Sequence, residues 1–405
     1  MGSEKHDGES APARKRKGLD TQIIVAIIGG ASVVLAALIA GAVALATSGN
    51  HASGVARPVG SASATVVMPS TSVSGFSGEP EAPPTTPEAI LPDPNSHGGG
   101  GVAGVAYSPT GGVLATGDVD GTTYLWDTTT NTRFRSLLNP ISQGVYGVAF
   151  SPDGSLVAAD NENKACSVTV WRADTGKLVV TLRDPGGTSE TSGVAFSPDG
   201  AVLAAADDNG GIYLWNTKTW QLARSQPLRD PNSQTVSGIA FNPQGTLLAT
   251  GDRNGGIYLW NTATWTLAAG PLIGPGSKGI LGGVALNHDG SLVAAGDANG
   301  HVYVWNVRTG KLAAALAAID GMQIGGVAFS PNGNVVAATT DNDLQDVTKD
   351  DICVWDLSVN RQAVFTDPDS AGEFRLAFSP DGNTLAVGDA NANTYLWNMS
   401  WLADK

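Results

Sequence analysis

Seven copies of one phrase, spaced about 45 residues apart, constrain the fold of this chain more than any other feature. The phrase is GVAFSPDG or a close variant of it. It begins at Gly104, Gly147, Gly193, Gly238, Gly283, Gly326 and, shortened to LAFSPDG, at Leu376. Each copy closes on a tryptophan: Trp126, Trp171, Trp215, Trp260, Trp305, Trp355 and Trp397. Repeats of this length made of short apolar runs predict a propeller-type array rather than a helical solenoid.

Each copy predicts four short β-strands. A VAF run stops at SPDG, a turn in which proline fixes one backbone angle and glycine takes the left-handed position. A second apolar run such as SLVAA follows, and DxNG then turns the chain into a third run such as IYLW, which is a strong hairpin pattern. A more polar fourth run completes the unit. The sequence therefore predicts an all-β fold of seven four-stranded blades with the polar strand outermost.

These period-matched SPDG…LW units resemble the WD40 β-propeller family over residues 104–398. The resemblance implies a seven-bladed propeller. This sequence departs from the family pattern in two respects. The family's Trp-Asp dipeptide occurs only at Trp126-Asp127 and Trp355-Asp356, and its Gly-His before the first strand is absent. We therefore expect that the family's buried Asp–His–Ser/Thr–Trp hydrogen-bond network does not form, and that the tryptophans act mainly as packing mass.

Blade seven needs a fourth strand, and two segments could supply it. Residues 90–96 (ILPDPNS) match residues 227–233 (PLRDPNS), which end an outer strand elsewhere in the chain. Residues 398–402 (NMSWL) instead resemble the start of an outer strand. We predict that residues 86–92 pair with blade seven and close the ring, since closure removes an open sheet edge. The alternative is that 86–96 is linker.

An uncharged run of 24 residues, 23–46, predicts a single transmembrane helix. At about 1.5 Å per residue it spans a hydrocarbon core of roughly 30 Å. Four basic residues, at 14–17, precede it, which predicts a cytoplasmic N-terminus and a single-pass protein with the propeller outside the cytoplasm. A cleaved signal peptide is the alternative, since Ala44-Leu45-Ala46 resembles a cleavage site, but such apolar cores run only about 7–15 residues.

The predicted organisation is therefore a cytoplasmic tail (1–22), a transmembrane helix (23–46), a linker (47–85) and the propeller (86–405). The linker is made of Ser, Thr, Pro, Ala, Gly and Val, and we expect it to be disordered because it buries too little apolar surface to offset its ordering entropy. The Ala/Gly/Val-rich composition with ten lysines is typical of a bacterium whose genome is rich in G and C.

The net charge of −14 predicts an acidic propeller and excludes a nucleic-acid partner, which needs a basic face. Two kinds of acidic turn are expected on one face of the ring. One is Asp-Pro, at Asp93, Asp184, Asp230 and Asp367; the other is the hairpin aspartate, at Asp118, Asp207, Asp252, Asp297 and Asp389. They predict either a ring of carboxylates around a central funnel that binds a basic peptide or cations, or turn residues that accept local backbone hydrogen bonds.

The sixth copy carries the longest second hairpin, residues 341–351 (DNDLQDVTKDD). A loop that breaks a repeat is a candidate partner-binding site, or else a variable solvated loop. Its carboxylates are Asp341, Asp343, Asp346, Asp350 and Asp351. Their spacing lacks the glycine and distal glutamate of a helix–loop–helix calcium site, so we predict no metal there.

The chain shows no motif for a nucleophile, a metal-assisted hydrolase, a kinase or a P-loop, so we predict no catalytic residue and no cofactor. His288 replaces a turn proline and is expected to be exposed. Cys166 and Cys353 belong to blades two and six, which are not neighbours, so no disulfide is expected between them.

These observations predict a membrane-anchored, extracytoplasmic scaffold or sensor that binds a protein or peptide, with a small-molecule ligand left open. One alternative is a propeller enzyme or cation-dependent binder that uses the acidic central funnel. Another is a purely structural envelope protein. The fold by itself does not choose among them.

Overall fold

The computed structural model describes residues 83–94, 101–138, 142, 144–162, 167–183, 185, 191–231, 235–318, 322–341, 351–366 and 373–402. The predicted tail, transmembrane helix and most of the linker lie outside these residues. Within the described ranges, no helix has the length and apolar character needed to cross a membrane.

The described residues form seven antiparallel sheets, which we call blades one to seven. Blade one holds β2 (Val102–Tyr107), β3 (Val113–Asp118), β4 (Thr122–Asp127) and β5 (Thr132–Leu138). Blade two holds β6 (Val148–Phe150), β7 (Leu156–Asn161), β8 (Ser167–Arg172) and β9 (Leu178–Arg183). Blade three holds β10 (Thr191–Phe196), β11 (Val202–Asp207), β12 (Gly211–Asn216) and an interrupted outer strand, β13 (Gln221–Leu222) and β14 (Leu228–Arg229).

Blade four holds β15 (Val236–Phe241), β16 (Leu247–Asp252), β17 (Gly256–Asn261) and β18 (Thr266–Ile273). Blade five holds β19 (Ile280–Leu286), β20 (Leu292–Asp297), β21 (His301–Asn306) and β22 (Leu312–Ala317). Blade six holds β23 (Gln323–Phe329), β24 (Val335–Asp341), β25 (Asp351–Asp356) and β26 (Arg361–Thr366). Blade seven holds β27 (Glu373–Phe378), β28 (Thr384–Asp389), β29 (Asn393–Asn398) and β1 (Ala89–Pro92).

Blade seven is completed from upstream, as the sequence predicts. β1 pairs antiparallel with β29, so that Ala89 faces Leu396 and Pro92 faces Asn393. The described residues after β29, 399–402, form no strand; Met399, Trp401 and Leu402 are instead buried in the apolar cluster between blades six and seven. The two ends of the propeller sequence are thus joined within one sheet.

The ring closes because the first strands of successive blades contact one another and β27 contacts β2. The second and third strands of each blade are largely buried, which explains why the second strands are mostly small and apolar and the third strands carry large apolar and aromatic side chains. The seven repeat tryptophans are 0–6% exposed and pack between neighbouring blades. The seven-bladed all-β architecture expected from the repeats is confirmed.

The SPDG turn sets the spacing between the first two strands of a blade. In blade two the Ser151 hydroxyl donates to Asp153 Oδ1 at 2.6 Å and accepts from the Leu156 amide at 2.9 Å. Gly154 completes the turn at φ +69°, a backbone conformation that L side chains rarely adopt. The same hydrogen bonds recur in blades three and seven, so one local motif is reused around the ring.

Candidate functional site

The five hairpin aspartates that the sequence singles out lie inside their own turns. Each accepts the backbone N–H four residues later on its Oδ1 atom, at distances of 2.6–2.9 Å. Their exposed fractions are only 0–1%, for Asp118, Asp207, Asp252, Asp297 and Asp389. The side chains hold the hairpins in shape and are not displayed as an open ring of carboxylates; their role in partner binding stays a prediction.

Burial also raises the pKa of two of these carboxyls, Asp118 and Asp252. Burial and the adjacent Asp93 carboxyl raise the pKa of Asp118 to about 8. Burial likewise raises the pKa of Asp252, against the hydrogen bonds that its turn donates to it. The Asp118 side chain is therefore largely protonated at neutral pH, so the formal charge of the sequence overstates the negative potential on this face.

The long hairpin of blade six is described only at its two ends. Asp341 is half-buried and accepts a hydrogen bond from the Gln323 side chain at 3.0 Å. Asp351 is 8% exposed and accepts from the Thr366 hydroxyl at 2.8 Å. Asp343, Asp346 and Asp350 lie outside the described residues, so their part in the predicted loop site stays a prediction.

In two blades the repeat tryptophan also donates a hydrogen bond, which corrects the expectation that these side chains act mainly by packing. In blade four the Trp260 indole donates to Thr250 at 3.1 Å and to Asp230 Oδ1 at 3.3 Å, and the Thr250 hydroxyl donates to Asp230 at 2.7 Å. In blade one Trp126 donates to Thr116 at 2.9 Å. The network forms without histidine because threonine on the second strand lies directly beside the indole N–H.

Whether these hydrogen bonds form in a blade depends on the residue type at one position of its second strand. The position of Thr250 is alanine or valine in five blades, at Ala159, Ala205, Ala295, Ala338 and Val387. In blade seven the Trp397 Nε1 atom is buried and has no hydrogen-bond partner among the described residues. There the tryptophan acts by packing, as the sequence analysis expects for all seven.

The most distinctive chemistry lies at the centre of the ring, in a cavity of about 140 Å³ that we call the central channel. Its wall is made by the middles of the seven first strands. Six of them contribute a glycine at the same position, and the seventh contributes an arginine: Gly104, Gly147, Gly193, Gly238, Gly283, Gly326 and Arg375. Arg375 is not among the residues predicted from the sequence, although it stands in the one copy of the repeat that lacks the first glycine.

A carboxylate of blade two lies behind this wall. Asp160 is fully buried and its Oδ1 atom accepts the amides of Tyr146 at 2.8 Å and Gly147 at 2.9 Å. Burial raises the pKa of Asp160 to about 7, against those hydrogen bonds and the attraction of Arg375. Among the residues that line the cavity, the charged side chain is a cation, Arg375; the predicted ring of carboxylates on one face of the propeller stays a prediction.

The described residues offer no arrangement for catalysis or for a metal ion that we can recognise. Among them, no three His, Cys, Asp or Glu side chains are grouped so as to hold a metal. His301 Nδ1 lies 3.8 Å from Asp297 Oδ1, too far for a hydrogen bond. His288 is exposed, as expected, and Cys353 is buried and forms no disulfide among the described residues, while Cys166 lies outside them.

Comparison with known proteins identifies the repeats. The family model for the WD domain, G-beta repeat, matches residues 90–127, 176–216, 225–261, 272–306 and 370–398. Each matched stretch contains three strands of one blade, and the 90–127 match starts within β1. The copies of blades two and six, whose second hairpins are the longest, lie outside these matches.

No curated protein matches the chain. WD40 propellers are generally protein-interaction scaffolds, and they are typically without catalytic activity. The five matched repeats and the closed ring of seven blades together show that this chain belongs to the WD40-repeat β-propeller family.

Proposed function

We propose that this protein is a membrane-anchored interaction module whose propeller lies outside the cytoplasm and binds a protein or peptide partner without catalysing a reaction. The observation that carries the proposal is the WD40 propeller itself, a scaffold that generally serves protein interaction. The membrane part of the proposal is supported by the uncharged run 23–46 and the basic residues before it.

The orientation can be tested on the full chain in membranes. Introduced cysteines at Ser3 and at Ser358, which is exposed in the turn after β25, would be labelled with a membrane-impermeant maleimide on intact cells. Labelling at 358 with protection at 3 is the expected pattern. The reverse pattern would overturn the extracytoplasmic location, and recovery of the chain in the soluble fraction would overturn the anchor.

The partner can be sought by affinity capture with the detergent-solubilised full chain. Two variants test the predicted site: one with residues 342–350 shortened to the hairpin length of blade four, and one of unchanged length in which Asp343, Asp346 and Asp350 become asparagine. We expect the shortened variant to lose the partner. The asparagine variant should lose it as well if the partner recognises the negative charge of the loop. Equal recovery of the same partner by all three proteins would remove the loop from the proposed site.

No described residue favours the enzymatic or cation-dependent alternative, and the cation in the central channel disfavours a binder of cations there. We expect metal analysis of the purified chain to find no stoichiometric ion, and a panel of hydrolase substrates to show no turnover. A bound ion or turnover that depends on the central channel would replace the proposed function with this alternative.

A further inference from the structure

The central channel is walled by backbone as much as by side chains. The first strand of every blade is the inner edge of its sheet. The N–H and C=O groups on its inward side therefore have no neighbouring strand to pair with. Six glycines at the ring position leave that backbone uncovered. The resulting space of about 140 Å³ is far larger than the roughly 10–15 Å³ that one water needs. A small polar ligand therefore has both room and partners here.

Arg375 places a guanidinium inside this space. An ideal Cβ atom on Gly283 would lie 2.8 Å from Arg375 Nη1, so the side chain starts in blade seven and reaches past blade six to blade five. A larger residue at position 283 would require the guanidinium to shift, and the φ of Gly283, +78°, also favours glycine. The arrangement of the ring thus accommodates the arginine.

The guanidinium has no protein partner among the described residues. Within the described residues, no hydrogen bond and no ion pair within 4.0 Å involves Arg375. Burial lowers the pKa of Arg375 from its ordinary value, because the charged form is poorly solvated there. A cation held in this way gains from any anion that replaces its lost hydration.

Asp160 does not fill that role. Its Oδ1 atom is taken by the amides of Tyr146 and Gly147, and its Oδ2 atom is buried without a partner among the described residues. A Cβ atom on Gly147 would lie 2.8 Å from that Oδ2, which places the carboxyl behind the channel wall. Asp160 weakens the positive potential of the channel but leaves the N–H donors of Arg375 open to a ligand.

We infer that the centre of the ring is a binding site for a carboxylate monoanion, held by the guanidinium of Arg375. The planar fork of an arginine matches the two oxygens of a carboxylate. One guanidinium with a carboxyl group nearby suits a single negative charge better than a phosphate dianion. The carboxylate can belong to a free small molecule or to a peptide, and the experiment below separates these two sources.

The test measures binding of acetate and of inorganic phosphate to the purified full chain by ligand-detected NMR and calorimetry. We expect acetate to bind in the millimolar range and more tightly than phosphate. Arg375→Gln and Arg375→Gly should weaken acetate binding by about tenfold or more, the effect of losing hydrogen bonds to a charged group. Arg375→Lys should bind acetate with an affinity between those of the parent and the neutral variants, since lysine keeps the charge but lacks the planar fork of donors.

Two comparisons keep the result interpretable. Arg308→Gln makes the same charge change at an exposed residue outside the channel wall and should bind acetate as the parent does. Arg375→Gly restores the residue found in the other six copies, so it should remain folded, as checked by thermal denaturation. Failure of the parent to bind acetate, or equal binding by the parent and by both folded variants Arg375→Lys and Arg375→Gly, would overturn the inference.

The source of the carboxylate is decided by a second probe, the peptide acetyl-Gly-Glu-Gly-amide, with its glutamine counterpart as control. Tighter binding of the glutamate peptide than of acetate assigns the site to a peptide partner, whereas exclusion of the peptide assigns it to a free carboxylate. Either result supports the site if it depends on Arg375. These measurements need no membrane and no captured partner, so they stand even if the proposed function fails.

Discussion

Thr250 on β16 donates its hydroxyl hydrogen to Asp230 Oδ1 at 2.7 Å, although the two residues belong to different blades. Asp230 follows β14, the outer strand of blade three, while Thr250 lies in the second strand of blade four. The Trp260 indole donates to both. A polar chain of three buried side chains thus ties one blade to the next, in addition to the apolar contacts between these blades.

Replacing Thr250 with valine keeps the shape of the side chain and removes the hydroxyl. Asp230 and the Trp260 indole then lose a partner in a buried place, so we expect the free energy of unfolding to fall by about 1–3 kcal/mol. Thr250→Ser keeps the hydroxyl and is the matched control, with a smaller loss. Urea denaturation of the three proteins measures the difference; equal stability of the parent and the valine variant would show that the tie contributes nothing.

The reverse change can be made in blade seven. Val387 faces Tyr395 in the same register in which Thr250 faces Tyr258, and the Trp397 indole nearby is buried without a partner among the described residues. We expect Val387→Thr to raise the free energy of unfolding by about 0.5–1 kcal/mol, because its hydroxyl can accept that N–H. Val387→Ala is the control for disturbed packing. If Val387→Thr lowered the free energy of unfolding as much as Val387→Ala does, the expected hydrogen bond to Trp397 would be contradicted.

The strand that closes the ring offers a paired test. Leu91 is 2% exposed and packs against Leu114, Trp126 and Leu396, whereas Ile90 on the same strand is 49% exposed. We expect Leu91→Ala to cost about 2–5 kcal/mol of unfolding free energy, because a cavity is left between blades seven and one. Ile90→Ala should cost far less. Similar small losses for both would mean that β1 adds little to the stability of the ring.

Buried carboxyls predict that stability falls as pH rises. Burial and the nearby Asp252 raise the pKa of Asp230 to about 7, above its ordinary value of 3.8. Between about pH 4 and 7 the native state therefore keeps a proton that the unfolded state has released, so unfolding becomes easier with rising pH. Below about pH 4 both states are protonated and this penalty is absent.

Asp230→Asn removes that titration and keeps an oxygen that can accept from Thr250. We expect its melting temperature to depend less on pH than that of the parent across pH 4 to 7. Each unit by which the pKa of Asp230 is raised corresponds to about 1.4 kcal/mol of unfolding free energy lost by the parent across this range. Asp153→Asn, in an exposed turn where hydrogen bonds from Ser151 lower the pKa, is the control and should not flatten the profile in this window. Parallel profiles for the parent and Asp230→Asn would contradict the raised pKa.

The ring glycines are not equivalent. A Cβ atom on Gly238 would lie 2.6 Å from the Cα atom of Gly283, a backbone contact that no side-chain rotation relieves. On Gly104 it would meet nothing closer than 3.4 Å. We expect Gly238→Ala to cost about 1–3 kcal/mol, and Gly104→Ala to be close to neutral, in thermal or urea unfolding. Equal effects would show that the strands around the central channel can move apart freely.

The fold could be predicted from the sequence because its determinants are local and repeated. The SPDG turn and the hairpin aspartate each fix a turn from within a few residues, and the tryptophan marks the blade. Ring closure was also predictable, since residues 90–96 copy the sequence of 227–233. The sequence shared by these two segments predicts an outer strand at both places in the chain.

The chemistry of the centre was not predictable in the same way. Residue type alone does not tell whether an aspartate faces solvent or its own turn, and Asp297 with 0% exposure does the second. The tie between Asp230 and Thr250 joins residues of different copies, so it depends on how the copies pack. Arg375 was visible as a departure from the repeat, but only the closed ring shows that its position faces six glycines.

The closing strand also determines how the propeller responds to mechanical load. All residues before 89 join the ring through β1, which is held to β29 by the four paired positions of one antiparallel ladder. Tension along the upstream chain is delivered first to this clasp and not to a blade interior. A pull strong enough to strip β1 would uncover the outer edge of β29 and the apolar cluster around Leu91, while β27 and β2 stay in contact at the centre of the ring, so the propeller has a built-in point of first yield.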